Sequence, residues 1–575
     1  MMHHAAHHRP ALPARILAAF RAAEDRMKLY DRLAWIALAI LVVLVVWTFR
    51  DYGISNDEEV QHVYGEKLLA FYLTGFADMS AFDYKNLFLY GGLFDIVAAA
   101  LAQIVPMDAY DLRHLLSGLI GILGIAGTWR LTRLLAGPRA GLLALLLLAL
   151  AAPWYGAMFN HTKDVPFAVA MLWTVHFGCR AALEMPRPRV LTVVGLGISL
   201  GAGLGLRVGA LISGAYILAV LVLWLATTRR HAPRVVIRDM AIIAARLAPA
   251  LVIAYALMAF AWPWSVFSPL NPLYALEAFS RFTYEVKDLF DGQVMKMYEV
   301  PAIYLPVYLA VKLPLSVLGG FAVAAFYAGL WLLRRPSVFE WWNRSPFVVV
   351  ALAALLPVIY FVITVPPVYT GIRHFLFVVP PIVVLAAIGY DRLIDVVARY
   401  NWRPRFAVAS AFALVASVQA GEMVILHPLE YVSYNALVGG VKGARGKWSM
   451  DYWANTVPEA IAELSAQVEK EFRNGAVPRQ RYLVGACVEP ISVKAHLPPY
   501  LGFTRDWDAA HFFISPTHMS CDRLVRGQVI AEIKRFDTVL AVVKDRRALV
   551  PPAPAGGSAD DAAAPAPIVT FAFDP

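Results

Sequence analysis

Two short runs in this sequence carry acids where a carboxylate could take a proton. The first, Ser55-Asn56-Asp57-Glu58-Glu59, lies directly after an apolar stretch and precedes the amphipathic segment Val60–Leu73. The second is Phe159-Asn160-His161-Thr162-Lys163-Asp164-Val165-Pro166-Phe167, with Asp164 opening a further apolar stretch and Pro166 in its first turn, where proline is tolerated. A carboxylate of the first run is placed to act as a general base on a hydroxyl or amine. Asp164 has an equally simple structural role open to it, the cap of its helix. Four cations, Lys85, Arg207, Arg373 and His374, flank other apolar segments. Each alone would serve as an interfacial anchor. Together they form a clamp for a phosphate, whose oxygens suit arginine forks and lysine point charges. Glu422 is an acid inside an apolar stretch, a functional candidate by default, although it lies near the outer end of that stretch.

The elements that must position these residues follow from composition. Of 575 residues, 59% are hydrophobic and 16% charged, against about 45–50% and about 25% in soluble globular proteins. The excess is clustered, which excludes a soluble enzyme, a disordered chain and a fibrous repeat. Segments long enough to cross a hydrocarbon core of ~30 Å fall at 33–49, 116–136, 140–158, 165–183, 190–206, 208–226, 240–262, 313–333, 346–365, 374–390 and 407–426, which predicts eleven helices. Tyr90–Pro106, interrupted by Asp95 and Gln103, is expected to lie along the membrane surface. The first apolar run is too long for a cleavable signal peptide and lacks a small-residue cleavage site. Gly197, Gly201, Gly205 and Gly209 give one helix a glycine face suited to close packing.

The net charge of +10 is mostly topology. Clusters such as Arg229–Arg230–Arg234–Arg238 and Arg334–Arg335 put one set of loops, and the N-terminus, in the cytoplasm. Nucleic acid is not implied. Parity then sends the Asp57 loop (50–115), the Asp164 loop, the turn at Arg207, the loop 263–312, the loop before Arg373 and everything after about 427 to the opposite face. Residues 1–32 are expected to be a cytoplasmic tail, with four histidines (His3, His4, His7, His8) taken as solvated. Residues 33–426 form the membrane domain, and 427–548 an outer α/β domain. Residues 549–575, rich in Ala and Pro, are expected to be disordered. In the outer domain Val457–Phe472 has helical periodicity, while Arg481–Val488, His511–Ser515, Gln528–Arg535 and Thr538–Lys544 have strand character. Cys487 and Cys521 share it, in a setting that permits a disulfide.

With these motifs in order, the chain resembles the bacterial protein O-mannosyltransferase-like glycosyltransferases, membrane enzymes of the GT-C fold. Asp57-Glu58 resembles their acidic pair. Asn160–Phe167 is similar to their N-P-K-D-I-P-F segment, with His161-Thr162 in place of the single proline. Gly371-Ile372-Arg373-His374-Phe375-Leu376-Phe377 followed by Pro380, and His427-Pro428-Leu429-Glu430-Tyr431 leading to Asn435 and Asp451-Tyr452-Trp453, are similar to further stretches of that group. The resemblance spans residues 33–460.

It implies a fold of about eleven transmembrane helices with a C-terminal extracytoplasmic α/β domain. It also implies an enzyme that moves a hexose or pentose, in the manner of a mannosyltransferase, from a polyprenyl-phosphate carrier to a protein, lipid or glycan acceptor at the outer face of the cytoplasmic (inner) membrane. By the same resemblance Asp57 is the general base, Glu58 supports it, and Asp164 orients or activates the acceptor. Lys85, Arg207, Arg373 and His374 would bind the donor phosphate. Relatives differ in the use of a divalent metal, for which Asp57, Glu58 and Asp164 would be the ligands. A transporter or flippase of lipid-linked sugars is the alternative from another class; it predicts internal repeats and broken helices at mid-membrane, and no half-to-half repeat is visible. A ligase or polymerase of lipid-linked oligosaccharides is the nearest alternative among enzymes, and a non-catalytic scaffold leaves both acidic motifs unexplained.

Overall fold

A computed structural model describes residues 14–228, 232–281, 286–399, 402–474 and 481–550. The expected histidine-rich N-terminus, and the Ala/Pro-rich tail beyond its first two residues, lie outside the described residues.

The chain is a multi-pass helical membrane protein with a small C-terminal sheet domain. Each of the eleven expected ranges falls on a helix. Among the described residues nine helices are long and apolar enough to cross a membrane. The other two ranges differ in an instructive way. The segment expected at 140–158 is a bent pair, Pro138–Ala149 and Ala152–Asn160, turning by 63°. Pro153, at the start of the second piece, cannot donate into a continuing helix. Val190–Leu204 has only 15 residues, a length of ~22 Å, because the chain leaves the helix at Gly205 to reach Arg207.

The first helix departs from expectation. It begins by Ala14 and runs to Thr48, so the described part of the expected tail is helical; the stretch 14–48 contains neither Gly nor Pro. Tyr90–Pro106 yields a ten-residue helix, Leu93–Ala102, whose Phe94, Asp95, Ile96, Ala98 and Ala99 are buried. The glycine face packs as expected at three of its four positions. A Cβ on Gly197, Gly201 or Gly205 would run into Ala250, Ala254 or Ala261 of helix Pro233–Ala261, whereas Gly209 has ordinary space towards Phe167.

One core runs through helices and loops alike. It joins Trp154 and Phe159 to Tyr304 and Tyr308 of helix Tyr304–Lys312, and to Tyr431, Trp448 and Trp453 from the C-terminal side of the last long helix. Strands β1 (Lys287–Phe290) and β2 (Gln293–Lys296) form an antiparallel hairpin in the loop 263–312. The C-terminal sheet contains β3 (Tyr482–Ala486), β4 (Leu501–Phe503), β5 (Phe512–Pro516), β6 (Gln528–Arg535) and β7 (Thr538–Asp545), in the order β4-β3-β5-β7-β6. β3 is parallel to both its neighbours; β7 is antiparallel to β5 and β6. Helix Val457–Arg473 lays Val457, Ala460, Ile461, Leu464 and Val468 on this sheet, the i, i+3, i+4 spacing of an amphipathic face. Cys487 and Cys521 are bridged.

Candidate active site

The Asp57 turn is shaped by its own sequence and by three distant segments. Asp57 occupies the N-cap position of helix Glu58–Leu73 without using its side chain as a cap. Glu58 does the bonding instead. Its buried carboxylate turns back to accept the Ser55 N–H at 2.7 Å and meets His114 Nε2 at 3.1 Å. Glu58 is therefore placed to support the turn, on the side away from the partner of Asp57. Upstream, the Tyr52 hydroxyl donates to Glu430, the Gly53 N–H donates to the Asn455 side chain, and Asn160 Nδ2 donates to the Gly53 carbonyl at 3.2 Å.

Asp164 is the first residue of helix Asp164–Glu184, and it does not cap. Its two carboxylate oxygens go to Arg207 Nη2 and to Arg373 Nε, the latter at 2.8 Å. Arg373 Nη2 in turn donates to Asp57. One guanidinium thus joins the two acids that the sequence singles out, and only a planar fork can serve both at once. The fork lies 4.2 Å from the ring of Trp453 and 5.5 Å from that of Tyr369. Its backbone is fixed from behind. Gly371 takes a left-handed φ of 69°, a Cβ there would press on Tyr308, and its N–H donates to the Tyr304 hydroxyl at 2.9 Å. Tyr304 itself donates to the buried carboxylate of Asp288.

Between the acids sit two groups without an assigned role in the sequence reading. His161 is buried, its Nε2 3.2 Å from the Tyr452 hydroxyl and its Nδ1 3.6 Å from Asp164. Burial pulls its pKa down to about 3, against the opposing pull of Asp164, so the ring is neutral at physiological pH. Lys163, also buried, holds its ammonium 4.4 Å from the centre of the Tyr90 ring, and burial lowers its pKa to about 8. The backbone between them is set by Thr162, which donates to Gln61 at 2.6 Å and lies beside the buried Arg113–Asp95 pair.

A cavity of about 790 Å³ opens beside this cluster, within the range of small-molecule sites. Arg207, His374, Tyr90 and Tyr369 line it, as do Phe167, Leu211, Ile212, Pro357, Tyr360 and Phe375 from three long helices and the turn before Val379. The wall is mostly apolar, with Arg207, Arg281 and the acid Glu277 as its charged side chains. Lys85 is placed differently. It is exposed on the first loop, where its charge acts on Glu489 of the C-terminal domain. Glu422 accepts a hydrogen bond from the Ser433 hydroxyl at 2.7 Å, a strut at the end of its helix. A divalent ion on Asp57, Glu58 and Asp164 does not fit this arrangement. Glu58 faces His114, the other two acids hold arginines, and among the described residues no group of three or more His, Cys, Asp or Glu is placed to hold a metal.

Sequence reasoning missed Lys163, His161, Tyr452, Trp453 and Tyr90. Lys163 and His161 stand inside the motif around Asp164, and Tyr452 and Trp453 inside the stretch Asp451-Tyr452-Trp453, so the motifs signal their location but not their direction. Tyr452 is brought in by His161, 291 residues away in sequence, and Trp453 by the fork of Arg373.

Comparison with known proteins finds a family whose profile is similar to part of the chain. Among curated proteins none matches it. Solved structures with a similar chain course include ArnT from Cupriavidus metallidurans bound to undecaprenyl phosphate, at 16% identity, covering 91% of this chain and 98% of that one with a TM-score of 0.46. The apo state of the same protein aligns at 17% identity, 91% and 100% coverage and a TM-score of 0.47. The apo oligosaccharyltransferase of Archaeoglobus fulgidus aligns at 13% identity, 82% and 64% coverage and a TM-score of 0.44. The sequence profile of the family described as dolichyl-phosphate-mannose-protein mannosyltransferase matches residues 97–264. That stretch holds both Asp164 and Arg207, and over it the chain is similar to that family, in agreement with the motif resemblance at Asn160–Phe167.

Proposed function

We propose that the protein transfers a sugar from a polyprenyl phosphate to an acceptor at the outer face of the cytoplasmic membrane. The observation that carries this reading is the Arg373 bridge between Asp57 and Asp164 beside an apolar cavity lined by Arg207 and His374. The family profile over residues 97–264 supports it.

In the proposed reaction Asp57 accepts the proton of an acceptor hydroxyl or amine. The freed lone pair bonds to the anomeric carbon of the sugar. The bond from that carbon to the phosphate oxygen breaks, and its electron pair leaves with the polyprenyl phosphate. The proton on Asp57 then passes to solvent. Asp164 fixes the arginines around the reacting centre, and the neutral His161 ring offers a hydrogen-bonding face rather than a charge. Because a phosphate is a good leaving group, the protein's main tasks are to remove the acceptor proton and stabilise the departing anion. The sugar and the acceptor follow the resemblance only: a mannose-like hexose or a pentose, and a protein, lipid or glycan.

Purified protein in vesicles, given undecaprenyl phosphate carrying a radiolabelled sugar, tests the reading. Label should leave the lipid and appear on an acceptor, and Asp57→Asn should abolish this. Movement of intact labelled lipid between leaflets without cleavage would instead favour a flippase.

A further inference from the structure

We propose that Asp288, in the hairpin strand β1, is a positioning residue for the transfer: it holds the Arg373 fork in register with the ring of Trp453. This rests on the proposed function and deepens it. Asp288 is fully buried, and its two carboxylate oxygens reach into two different segments. Oδ2 accepts a hydrogen bond from the Tyr304 hydroxyl, and Oδ1 accepts one from the Ser449 hydroxyl. The Tyr304 oxygen accepts the Gly371 N–H at 2.9 Å, two residues before Arg373. Ser449 stands four residues before Trp453, and its carbonyl accepts the Tyr434 hydroxyl at 2.6 Å. The backbone around the hairpin repeats both links: the Val368 N–H donates to the Met297 carbonyl at 3.0 Å, and the Gly292 N–H to the Lys447 carbonyl at 2.9 Å. The two segments meet again where the Arg373 guanidinium lies 4.2 Å from the Trp453 ring.

A carboxylate is a costly strut. Burial raises the pKa of Asp288 above the ordinary carboxylate value, outweighing the Ser449 and Tyr304 hydroxyls and the Leu289 and Gly371 N–H groups. An acid whose folded-state pKa is raised costs stability, in full once the pH is above that value. The two links nevertheless need an acid. A carboxylate accepts from both hydroxyls at once, whereas asparagine offers one accepting oxygen and must release one of them. The bond from Tyr304 to a carboxylate also polarises that hydroxyl, which makes its oxygen the better acceptor for the Gly371 N–H. Arg373 is the guanidinium that joins Asp57 to Asp164, so a shift of the Gly371 turn moves the partner of the proposed base without touching the base itself. Asp288 acts on the arrangement of the two acids, through Arg373.

The test is the vesicle assay with full-length protein and undecaprenyl phosphate carrying a radiolabelled sugar, with kcat taken per folded molecule. Asp288→Asn is close to isosteric. It should lower kcat about ten- to hundredfold, since a misplacement of ~1 Å can cost ~10²-fold, and lower kcat more than it raises the donor KM. Its thermal midpoint should be unchanged or higher, because the buried charge is gone. Tyr304→Phe and Ser449→Ala each delete one link and should each lower kcat in the same direction. In the Arg373→Lys background, where the fork is already lost, Asp288→Asn should lower kcat by less than about threefold further, because effects routed through one residue do not add. Wild-type kcat in a folded Asp288→Asn with a lower midpoint would overturn the proposal and leave Asp288 a support of the fold alone; a second full loss in the Arg373→Lys background would overturn it as well. If Asp288→Asn does not fold, the two hydroxyl deletions decide, and wild-type kcat in both would overturn it. Each of these results leaves the glycosyltransferase reading in place, whereas a wild type that transfers no sugar would remove that reading itself.

Discussion

Asp57 and Asp164 look alike in the sequence, but they are held differently. The Asp57 side chain is 14% exposed and bonds to one arginine; Asp164 is 3% exposed and bonds to two. Asp57→Asn is nearly isosteric and leaves Arg373 its bond to Asp164. Transfer should therefore fall by ~10²–10⁴-fold, the contribution of a general base, with the thermal midpoint little changed. Asp164→Asn should cost both activity and stability, because two buried guanidinium groups lose their shared counter-charge, a loss of about 3–5 kcal/mol for a broken buried pair. A helix cap would have survived asparagine. Differential scanning fluorimetry beside the transfer assay separates the two effects, and equal stability losses in both variants would contradict this division. Arg373→Lys is predicted to fail where charge alone would suffice, since one ammonium cannot reproduce the Nε and Nη2 geometry to both acids. At this scale the sequence shows which residue types could act, and both acids, Arg207 and Arg373 do converge. It does not show direction: Glu58, adjacent to Asp57, faces His114, and Lys85 faces the C-terminal domain.

The elements meet at a latch that the sequence shows only as a motif of unassigned role. His427, just beyond helix Trp402–Leu426, sits with Nδ1 2.8 Å from Glu430 and Nε2 3.0 Å from Asp51 at the end of the first helix. A neutral imidazole donates from one nitrogen only, so serving two carboxylates requires the protonated ring. Burial opposes that charge, but the hydrogen bonds and charges of Glu430 and Asp51 outweigh it and raise the pKa. The other groups around the latch are Tyr52, which donates to Glu430, and Arg535, which donates to the His427 carbonyl and pairs with Glu459. Because the folded-state pKa is the higher one, the contribution to stability is complete below the unfolded value of about 6.5 and is lost as pH rises through the folded value. The thermal midpoint of the wild type should fall over that interval, and His427→Gln should remove this part of the pH dependence. A wild-type midpoint that rises across the same interval would refute the latch. Long apolar helices are legible because their period and length are local properties. The latch and the three-residue strand β4 are not, since each exists only through long-range contacts.

For the whole molecule, sidedness is where sequence and structure combine. The segments that parity assigns to one face touch one another: Asn56 Nδ2 donates to the Tyr452 carbonyl at 3.1 Å, the Glu489 N–H donates to Asn56 at 3.2 Å, and Arg373 reaches both acidic loops. The segments assigned to the other face are tied together as well, Arg133 to Asp31 at 2.7 Å and Arg139 to Asp391 and Asp395 at 2.6 Å. Contact fixes which segments share a face, and the arginine clusters of the loops are the ground on which we propose which face is cytoplasmic. Eleven crossings, with the bent pair Pro138–Ala149 and Ala152–Asn160 and the short helix Val190–Leu204 each counted as one, agree with these contacts, and with an inward N-terminus the proposed place of the site and the C-terminal domain is the outer face. If either failed to cross, parity would place the Asp57 loop and the C-terminal domain on opposite faces, which their hydrogen bonds forbid. Single cysteines at the exposed positions Ala77, Asp508 and Ser337 test the assignment in intact cells with an impermeant thiol reagent. They can be introduced beside the native cysteines, because Cys179 is buried and Cys487 and Cys521 are bridged. Ala77→Cys and Asp508→Cys should label, and Ser337→Cys should label only after the membrane is opened. Labelling of Ser337→Cys in intact cells with protection of the other two would invert the protein and place its site in the cytoplasm.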